Sequence, residues 1–424
     1  MYLNRLIEAK DTEFIKVITG VRRSGKSTLL LMFKEYLLDN GVKDNSIIHI
    51  NFESAMYDNV KDYMDLYNYI KSKITKNKTY ILLDEVQNVS KWEKAINSLN
   101  VDFNVDIYIT GSNAYLLSSE LSTLLSGRYI EIKMYPLSFK EFIEFNNYDK
   151  TDIENKFYEY LKYGGLPAIT LIKDKTDLVM SYLNDIYNTI VKKDIIDRNS
   201  IKDTALLENI IKYLVSNIGS SISATKISDY LNSNKIVDKS NHQTTDNYLN
   251  MLEKSFIMYK ADRTDIRNKT LLKTLGKYYV SDIGIRNTIF GFRNIDEGHL
   301  LENIVYLELL RRGYKVNIGK TGDYKVDFVA ENLNEITYYQ VTKTLASEEV
   351  KIREIRSLES IADNYEKIIL TMDKTINKDY NGVNINDNVG SLHIDKAKLN
   401  DSKYLFSFDG DGDRILFKDN KSIY

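Results

Sequence analysis

One stretch of the chain combines glycines, a lysine and a hydroxyl at the spacing of a phosphate-binding loop. It reads Gly20-Val-Arg-Arg-Ser-Gly25-Lys26-Ser27 and matches the pattern G-x4-GK-[ST]. Glycines let backbone N–H groups close around phosphates, the lysine reaches the β and γ oxygens, and the last hydroxyl is a ligand for Mg²⁺. We therefore predict an ATP and Mg²⁺ site whose contacts are Gly20, Arg23, Ser24, Gly25, Lys26, Ser27 and Thr28.

A second motif supplies carboxylates about sixty residues later. Four apolar residues precede Asp84 and Glu85 in the stretch 80–85, as at the end of a buried strand. We predict that Asp84 holds Mg²⁺, directly or through water, and that Glu85 orients the attacking water as general base. A strand that ends in an acidic turn is the alternative interpretation of this pair on its own.

Two further polar positions are candidates for the same site. Residues 107–110 read as a strand that runs into Gly-Ser-Asn, so Ser112 or Asn113 is predicted near the γ-phosphate; a simple turn at the asparagine is the alternative. Arg128 is a candidate arginine finger toward a neighbouring subunit, which would require a homo-oligomer. A surface ion pair is its alternative role.

The elements that must position these residues follow from hydrophobic periodicity. Across about the first 140 residues, short apolar runs alternate with amphipathic helical patterns, which is typical of a parallel α/β sheet. A helix is predicted over 28–38, and strands are predicted over 14–19, 46–52, 79–83 and 106–110.

Composition limits the remaining possibilities. The chain has 424 residues, a formal charge of −2 and no cysteine, which excludes disulfides and thiolate zinc sites and gives no global attraction to nucleic acid. The first residues do not form a signal peptide, and no stretch approaches the ~20 apolar residues of a membrane span. We expect a cytoplasmic protein that does not bind membranes.

The motifs together resemble those of bacterial and archaeal AAA-type ATPases whose C-terminal half has no assigned function. The resemblance covers roughly residues 5–383. It implies an α/β protein with a P-loop NTPase parallel sheet (1–142), a helical lid (143–219), a winged-helix segment (220–297) and a restriction-endonuclease-like α/β domain (298–384). It is carried by residues 20–27, 83–87, 110–112, 126–128, 136–142, 163–167, 277–284 and 298–303.

The expected winged-helix segment could bind DNA or a protein. Helical patterns over 223–231 and 242–252 look like a helix-turn-helix, and 256–259 resembles the strand of a wing. In the DNA-binding interpretation the second helix enters the major groove. Asp246 and Glu253 on that helix would repel phosphate, so packing or partner binding is the alternative. The polar residues near the start of the helix are Lys239, Asn241, His242 and Gln243.

The terminal domain carries a partial set of nuclease residues. Glu302 is predicted on a helix, Asp327 on a strand and Gln340 on the next strand. An active nuclease of the restriction-endonuclease type has Glu-x-Lys where this chain has Gln340 and Thr342. Lys343 cannot substitute, because adjacent strand residues point to opposite faces. We therefore expect a degenerate site without nuclease activity.

Residues 385–424 do not continue the ATPase resemblance. They look like a fragment of a phosphohexomutase, with Asp409, Asp411 and Asp413 in the order of its metal loop. The rest of a mutase is missing, so a fortuitous fusion or a disordered acidic tail is the preferred interpretation.

Three functions are consistent with the sequence. The preferred one is an ATPase that acts as a switch or motor on a partner through its C-terminal half. The second is a protein that binds or processes nucleic acid when ATP is bound. The third is a nucleotide-binding module with negligible turnover.

Overall fold

The computed structural model describes most of the chain in two compact units. Unit 1 consists of Met1–Pro136, Thr189–Ser200 and Met251–Ile257, and unit 2 consists of Leu137–Asn188, Ile201–Asn250 and Met258–Tyr424. The described residues are 1–112, 114, 127–148, 152–237, 240–293, 296–333, 335–373, 378–380, 383–387, 405–408 and 415–418.

Unit 1 contains a five-stranded sheet in the order β2-β3-β4-β1-β5, in which all neighbours are parallel. The parallel α/β sheet predicted from the sequence is therefore confirmed, and β5 is an additional strand that the apolar pattern did not indicate. The strands are β1 (Ile15–Gly20), β2 (Ile47–Asn51), β3 (Thr79–Asp84), β4 (Val105–Gly111) and β5 (Tyr129–Met134).

Helices cover both faces of this sheet, which is why β1 and β3 are buried at every position. Successive residues of β1 point to opposite faces of the sheet and so pack in different apolar clusters. Ile15 and Val17 pack in one cluster, and Ile18 packs in another. The first cluster includes residues of α3 and α4, and the second includes residues of α1 and α2. These helices are α1 (Tyr2–Glu8), α2 (Lys26–Asp39), α3 (Tyr63–Lys71) and α4 (Trp92–Asp102).

The segment Thr189–Ser200 of unit 1 includes a π-helical run, Ile190–Asp197. Runs of π-helix are rare and often mark functional positions. The other helices of the described chain are α5 (Phe139–Phe145), α6 (Ile153–Tyr163), α7 (Thr176–Thr189), α8 (Thr204–Ser216), α9 (Ala224–Ser233), α10 (His242–Lys254), α11 (Ile283–Phe290), α12 (Glu297–Arg311) and α13 (Glu348–Glu359).

Unit 2 contains a nine-stranded mixed sheet in the order β13-β14-β12-β11-β10-β9-β7-β8-β6. The strands of the expected winged-helix and nuclease-like domains thus share one sheet, joined where β7 runs parallel to β9. The domain boundaries proposed from the sequence stay predictions. These strands are β6 (Ser221–Ile222), β7 (Met258–Asp265), β8 (Thr270–Val280), β9 (Lys315–Thr321), β10 (Tyr324–Asn332), β11 (Glu335–Thr342), β12 (Glu366–Thr371), β13 (Lys378–Tyr380) and β14 (Val383–Asp387).

The tail contributes an antiparallel pair of short strands, β15 (Leu405–Phe408) and β16 (Ile415–Lys418). The aspartates predicted as a metal loop, Asp409, Asp411 and Asp413, lie outside the described residues. Within the described part of the chain, every helix is too short or too polar to cross a membrane.

Candidate nucleotide site

The glycine-bearing loop leaves β1 at Gly20 and enters α2 at Lys26, as a phosphate-binding loop requires. Its two framing glycines adopt conformations that side chains disfavour, since φ is +146° at Gly20 and +100° at Gly25. A Cβ on Gly20 would also lie 2.1 Å from the carbonyl oxygen of Met134. The shape of the loop therefore depends on glycine at these positions.

The first turn of α2 has no side-chain cap among the described residues, so its N–H groups are available to an anion. The Lys26 ammonium is buried beside them, and Nζ donates hydrogen bonds to the carbonyl oxygens of Gly20 and Val21, both at 3.1 Å. Burial lowers the pKa of Lys26, whereas the nearby carboxylates of Glu85 and Asp84 oppose that shift. A buried cation held by neutral carbonyl groups attracts phosphate oxygens strongly.

The two acidic residues of the second motif lie at the end of β3, and Thr110 on the adjacent strand β4 contacts both of them. The Thr110 hydroxyl donates to Oδ1 of Asp84 and accepts a hydrogen bond of 3.0 Å from the backbone N–H of Glu85. Since all three residues are buried, this hydroxyl fixes the backbone and one carboxylate together. Thr110 was not predicted as a site residue, although its position at the end of a neighbouring strand was a usable signal.

Glu85 lies in the left-handed backbone region, with φ +53°. Such a conformation costs about 1–3 kcal/mol in a residue other than glycine and is found mostly at functional positions. Gln87 donates a hydrogen bond from Nε2 to Oε2 of Glu85. Burial raises the pKa of the Glu85 carboxyl, while the Lys26 charge opposes the shift. A raised pKa suits a group that must accept a proton.

Two serine hydroxyls of this region are buried and have no hydrogen-bond partner among the described residues. They belong to Ser24, in the loop, and to Ser112, directly after β4. Buried donors without partners are costly, so a ligand that accepts from them would be favoured. Because β4 lies between β1 and β3, Ser112 follows the strand nearest to both halves of the site.

These observations fit a nucleoside triphosphate with Mg²⁺. Ser27 is exposed in the first turn of α2, and Asp84 is buried at the end of β3. No group of three or more carboxylate, histidine or cysteine side chains within the described residues could hold a metal alone. Ser27 and Asp84 carry oxygen groups that could hold Mg²⁺ together with phosphate oxygens and water.

The remaining predicted residues of this site are exposed or lie outside the described residues. Asn113 lies outside the described residues. Arg128 is exposed, and its carbonyl oxygen accepts a 2.9 Å hydrogen bond from the backbone N–H of Ile15. Its role as an arginine finger therefore stays a prediction. Thr28 and Arg23 are likewise exposed.

The structure brings the three nuclease-like residues close together but places a lysine among them. Lys277 of β8 donates from Nζ to Oε1 of Glu302 and, at 3.1 Å, to Oδ1 of Asp327. Gln340 accepts from the Asp327 backbone N–H at 2.6 Å and donates to Oε2 of Glu354 at 2.5 Å. An ammonium group thus bridges the two carboxylates expected to bind a metal. Lys277 and Glu354 were not predicted.

The neighbouring positions agree with this arrangement. Lys343 forms an ion pair with Glu297 at 2.6 Å rather than with either nuclease-like carboxylate. It follows the last residue of β11, so the alternation of strand faces does not decide its direction. The hydroxyl of Thr342 donates to the carbonyl oxygen of Thr344 at 3.2 Å. The absence of nuclease activity stays a prediction.

The expected helix-turn-helix consists of α9 and α10. Buried hydroxyl groups meet at their contact, where Ser228 of α9 and Thr245 of α10 are 2.9 Å apart. Ser240, which precedes α10, lies 3.1 Å from Thr245. Asn241, His242 and Gln243 are exposed near the start of α10, Asp246 is exposed one turn later, and Lys239 lies outside the described residues. The surface of this helix therefore offers amide and carboxylate groups rather than a cluster of cations.

Comparison with known proteins defines the class. Residues 12–143 match the family model of an AAA domain, and residues 154–296 match a domain of unknown function. The chain thus carries the P-loop domain of AAA ATPases, which confirms that part of the resemblance stated from the motifs. The winged-helix and nuclease-like domains stay predictions.

Two relatives that match most of this chain define the family. A protein of Haemophilus influenzae described as uncharacterised is 46% identical over 374 residues, which cover 87% of this chain and 92% of that protein. Another, from Methanocaldococcus jannaschii, is 32% identical over 390 residues, covering 87% and 85%. The chain belongs to the family that includes these two proteins.

Among solved structures, the Walker-type ATPase of Pyrococcus abyssi aligns with a TM-score of 0.47 and 16% sequence identity. The alignment covers 68% of this chain and 94% of that one.

Proposed function

We propose that this protein is a Mg²⁺-dependent ATPase that acts as a switch or motor. The observation that carries the proposal is the meeting of two independent motifs at one edge of a parallel sheet. A buried Lys26 ammonium lies within electrostatic reach of Asp84 and Glu85. Thr110 fixes the carboxylate of Asp84 and the backbone of Glu85 through one hydroxyl. This arrangement can bind a triphosphate, place a cation beside it and accept a proton from an attacking water.

Each residue of the site has a separate role in the proposed hydrolysis of ATP. Lys26 and the N–H groups of the loop stabilise the charge on the β and γ oxygens. Asp84 and Ser27 would hold Mg²⁺, which supplies further charge neutralisation on the same oxygens. Glu85 orients water and takes its proton. Ser112 donates from its hydroxyl to a phosphate oxygen or to that water.

The direct test is phosphate release from ATP by the wild type and by Lys26→Ala. The variant should lose ~10²–10³-fold in rate, because its buried ammonium stabilises the charge that grows on the transferred phosphoryl group. Wild-type release must also stop when Mg²⁺ is chelated. Equal release by both proteins would refute the proposal and leave a nucleotide-binding module with negligible turnover.

We propose further that the energy of hydrolysis acts on a partner through the C-terminal half, and that Arg128 completes the site of a neighbouring subunit. The exposed position of Arg128 and the exposed polar residues that begin α10 support these roles. Duplex DNA is the alternative partner. Light scattering with a non-hydrolysable ATP analogue, with and without duplex DNA at ~50 mM salt, tests both ideas. A monomer under every condition would exclude the subunit role, and no added mass with DNA would exclude that partner.

A further inference from the structure

A second charged pair lies beside the candidate nucleotide site. Arg22, the third residue of the loop, donates from Nε and Nη2 to the two carboxylate oxygens of Asp194 at 3.0 and 2.9 Å. The Arg22 side chain is 17% exposed and that of Asp194 is 4% exposed, so the pair is largely removed from water. Two parallel charge-assisted hydrogen bonds of this kind are strong and geometrically specific.

Arg22 lies in the same loop as the lysine expected to bind the β and γ oxygens. The carbonyl oxygen of Val21, the residue before Arg22, accepts a hydrogen bond of 3.1 Å from the Lys26 ammonium. The backbone that carries the guanidinium is therefore in direct contact with the group expected to bind the third phosphate. A guanidinium there can bind phosphate oxygens with the same fork geometry that it uses toward a carboxylate.

Asp194 is presented by the π-helical run Ile190–Asp197. The other buried residues of this run are Ile190, Val191 and Ile195, which are apolar and anchor the segment. A charged side chain among apolar neighbours needs a counter-charge, and Arg22 supplies it. A structural role in folding alone would account for the pair. A role in nucleotide recognition requires in addition that the pair responds to the third phosphate.

We propose that Arg22 and Asp194 determine the specificity of the site for a nucleoside triphosphate over a diphosphate. With ADP or without nucleotide, the guanidinium stays on Asp194. With ATP, the γ-phosphate oxygens replace the carboxylate as its acceptor. This inference rests on the proposed ATPase function, since it assumes that the loop binds nucleotide.

The test compares binding rather than turnover. Titration calorimetry gives the affinities for ADP and for a non-hydrolysable ATP analogue, in the presence of Mg²⁺. Asp194→Asn keeps the shape of the side chain but removes the competing charge, so the preference for the ATP analogue over ADP should rise about tenfold. Arg22→Ala should lower that preference about tenfold through weaker binding of the analogue, with ADP binding changed less than twofold.

Glu53→Gln is the matched control. Glu53 also forms an ion pair with the Arg22 guanidinium, at 3.6 Å, but its side chain is 56% exposed. Neutralising it should change the preference less than twofold, because exposed pairs contribute little. The double variant Arg22→Ala with Asp194→Asn should behave like Arg22→Ala, since Asp194 acts through Arg22.

The possible results separate the two proposals. Equal changes in ADP and analogue affinity, in both single variants, would show a purely structural pair and overturn this inference while leaving the ATPase proposal intact. If the wild type binds neither nucleotide, the ATPase proposal fails and this inference fails with it. If Asp194→Asn does not fold, Arg22→Lys, which keeps the charge but loses the two-pronged contact, should still weaken the preference for the analogue.

Discussion

Glu85→Gln should lower the rate of phosphate release ~10²–10³-fold while the protein still binds ATP. The amide preserves the size of the side chain and its contact with Gln87, but it cannot take a proton from water. The pKa of the Glu85 carboxyl is raised above its ordinary value of 4.5 by burial. The wild-type rate should therefore fall as the pH is lowered through that raised pKa, and the variant should lose this dependence.

Single-turnover phosphate release and ATP titration, measured on the same preparations, check this expectation. Glu35→Gln is a suitable control, because Glu35 is exposed on α2 and the same chemical change there should not affect the rate. If Glu85→Gln released phosphate at the wild-type rate, the general base would have to be another residue. Loss of ATP binding in the variant would show that Glu85 shapes the site instead of acting in the reaction.

Lys277→Met should destabilise the fold by about 3–5 kcal/mol, because removing one partner of a buried ion pair leaves the others uncompensated. Glu302 and Asp327 would then face each other without the ammonium that bridges them. Burial and the neighbouring Asp327 raise the pKa of Glu302 to about 7 even with the lysine present. Removal of the lysine charge, which lowers that pKa, should raise it further.

The sign of the pH dependence follows from this shift. A carboxyl group with a raised folded-state pKa binds its proton more tightly in the folded chain, so the stability that it contributes is lost as the pH rises from about 4.5 toward the folded pKa. The deficit of Lys277→Met should therefore be larger at pH 8 than at pH 5. Urea denaturation at both values measures it.

A second substitution serves as the control for Lys277→Met. Adding Glu302→Gln removes one of the facing charges and should restore part of the lost stability. A single variant as stable as the wild type at both pH values would contradict the view that the ammonium compensates these carboxylates. Divalent-cation binding to the single variant would show that the lysine occupies a latent metal position.

The sequence predicted well those features whose residues are adjacent in the chain. The loop from Gly20 to Ser27 and the pair Asp84 and Glu85 each lie on one strand end, so local pattern and strand order were sufficient to place them. The parallel sheet followed from the alternation of apolar runs and helices. Strand β5 was missed because its six residues are mostly half-buried or exposed and give no apolar run.

Contacts between distant residues were beyond sequence reasoning. Arg22 and Asp194 are 172 positions apart, and Lys277 lies 25 and 50 positions from its two carboxylates. The buried pair of Lys16 and Asp106, at 2.5 Å, lies on two strands that the sequence predicted, but no pattern indicated that these two charges meet. A charge pattern in one chain does not reveal which ions meet, because only the fold determines their neighbours.

The arrangement of unit 1 has a consequence for anyone who divides or recombines this chain. The AAA domain matched by sequence ends at residue 143, yet unit 1 also takes in Thr189–Ser200 and Met251–Ile257. A fragment cut at that boundary would keep the whole phosphate-binding loop but lose Asp194, and Arg22 would be left without the carboxylate that neutralises it. In a chimera that exchanges C-terminal halves between relatives, Arg22 and Asp194 would likewise come from two different proteins. The residues that would have to be transferred together to keep unit 1 intact are therefore not contiguous in the chain.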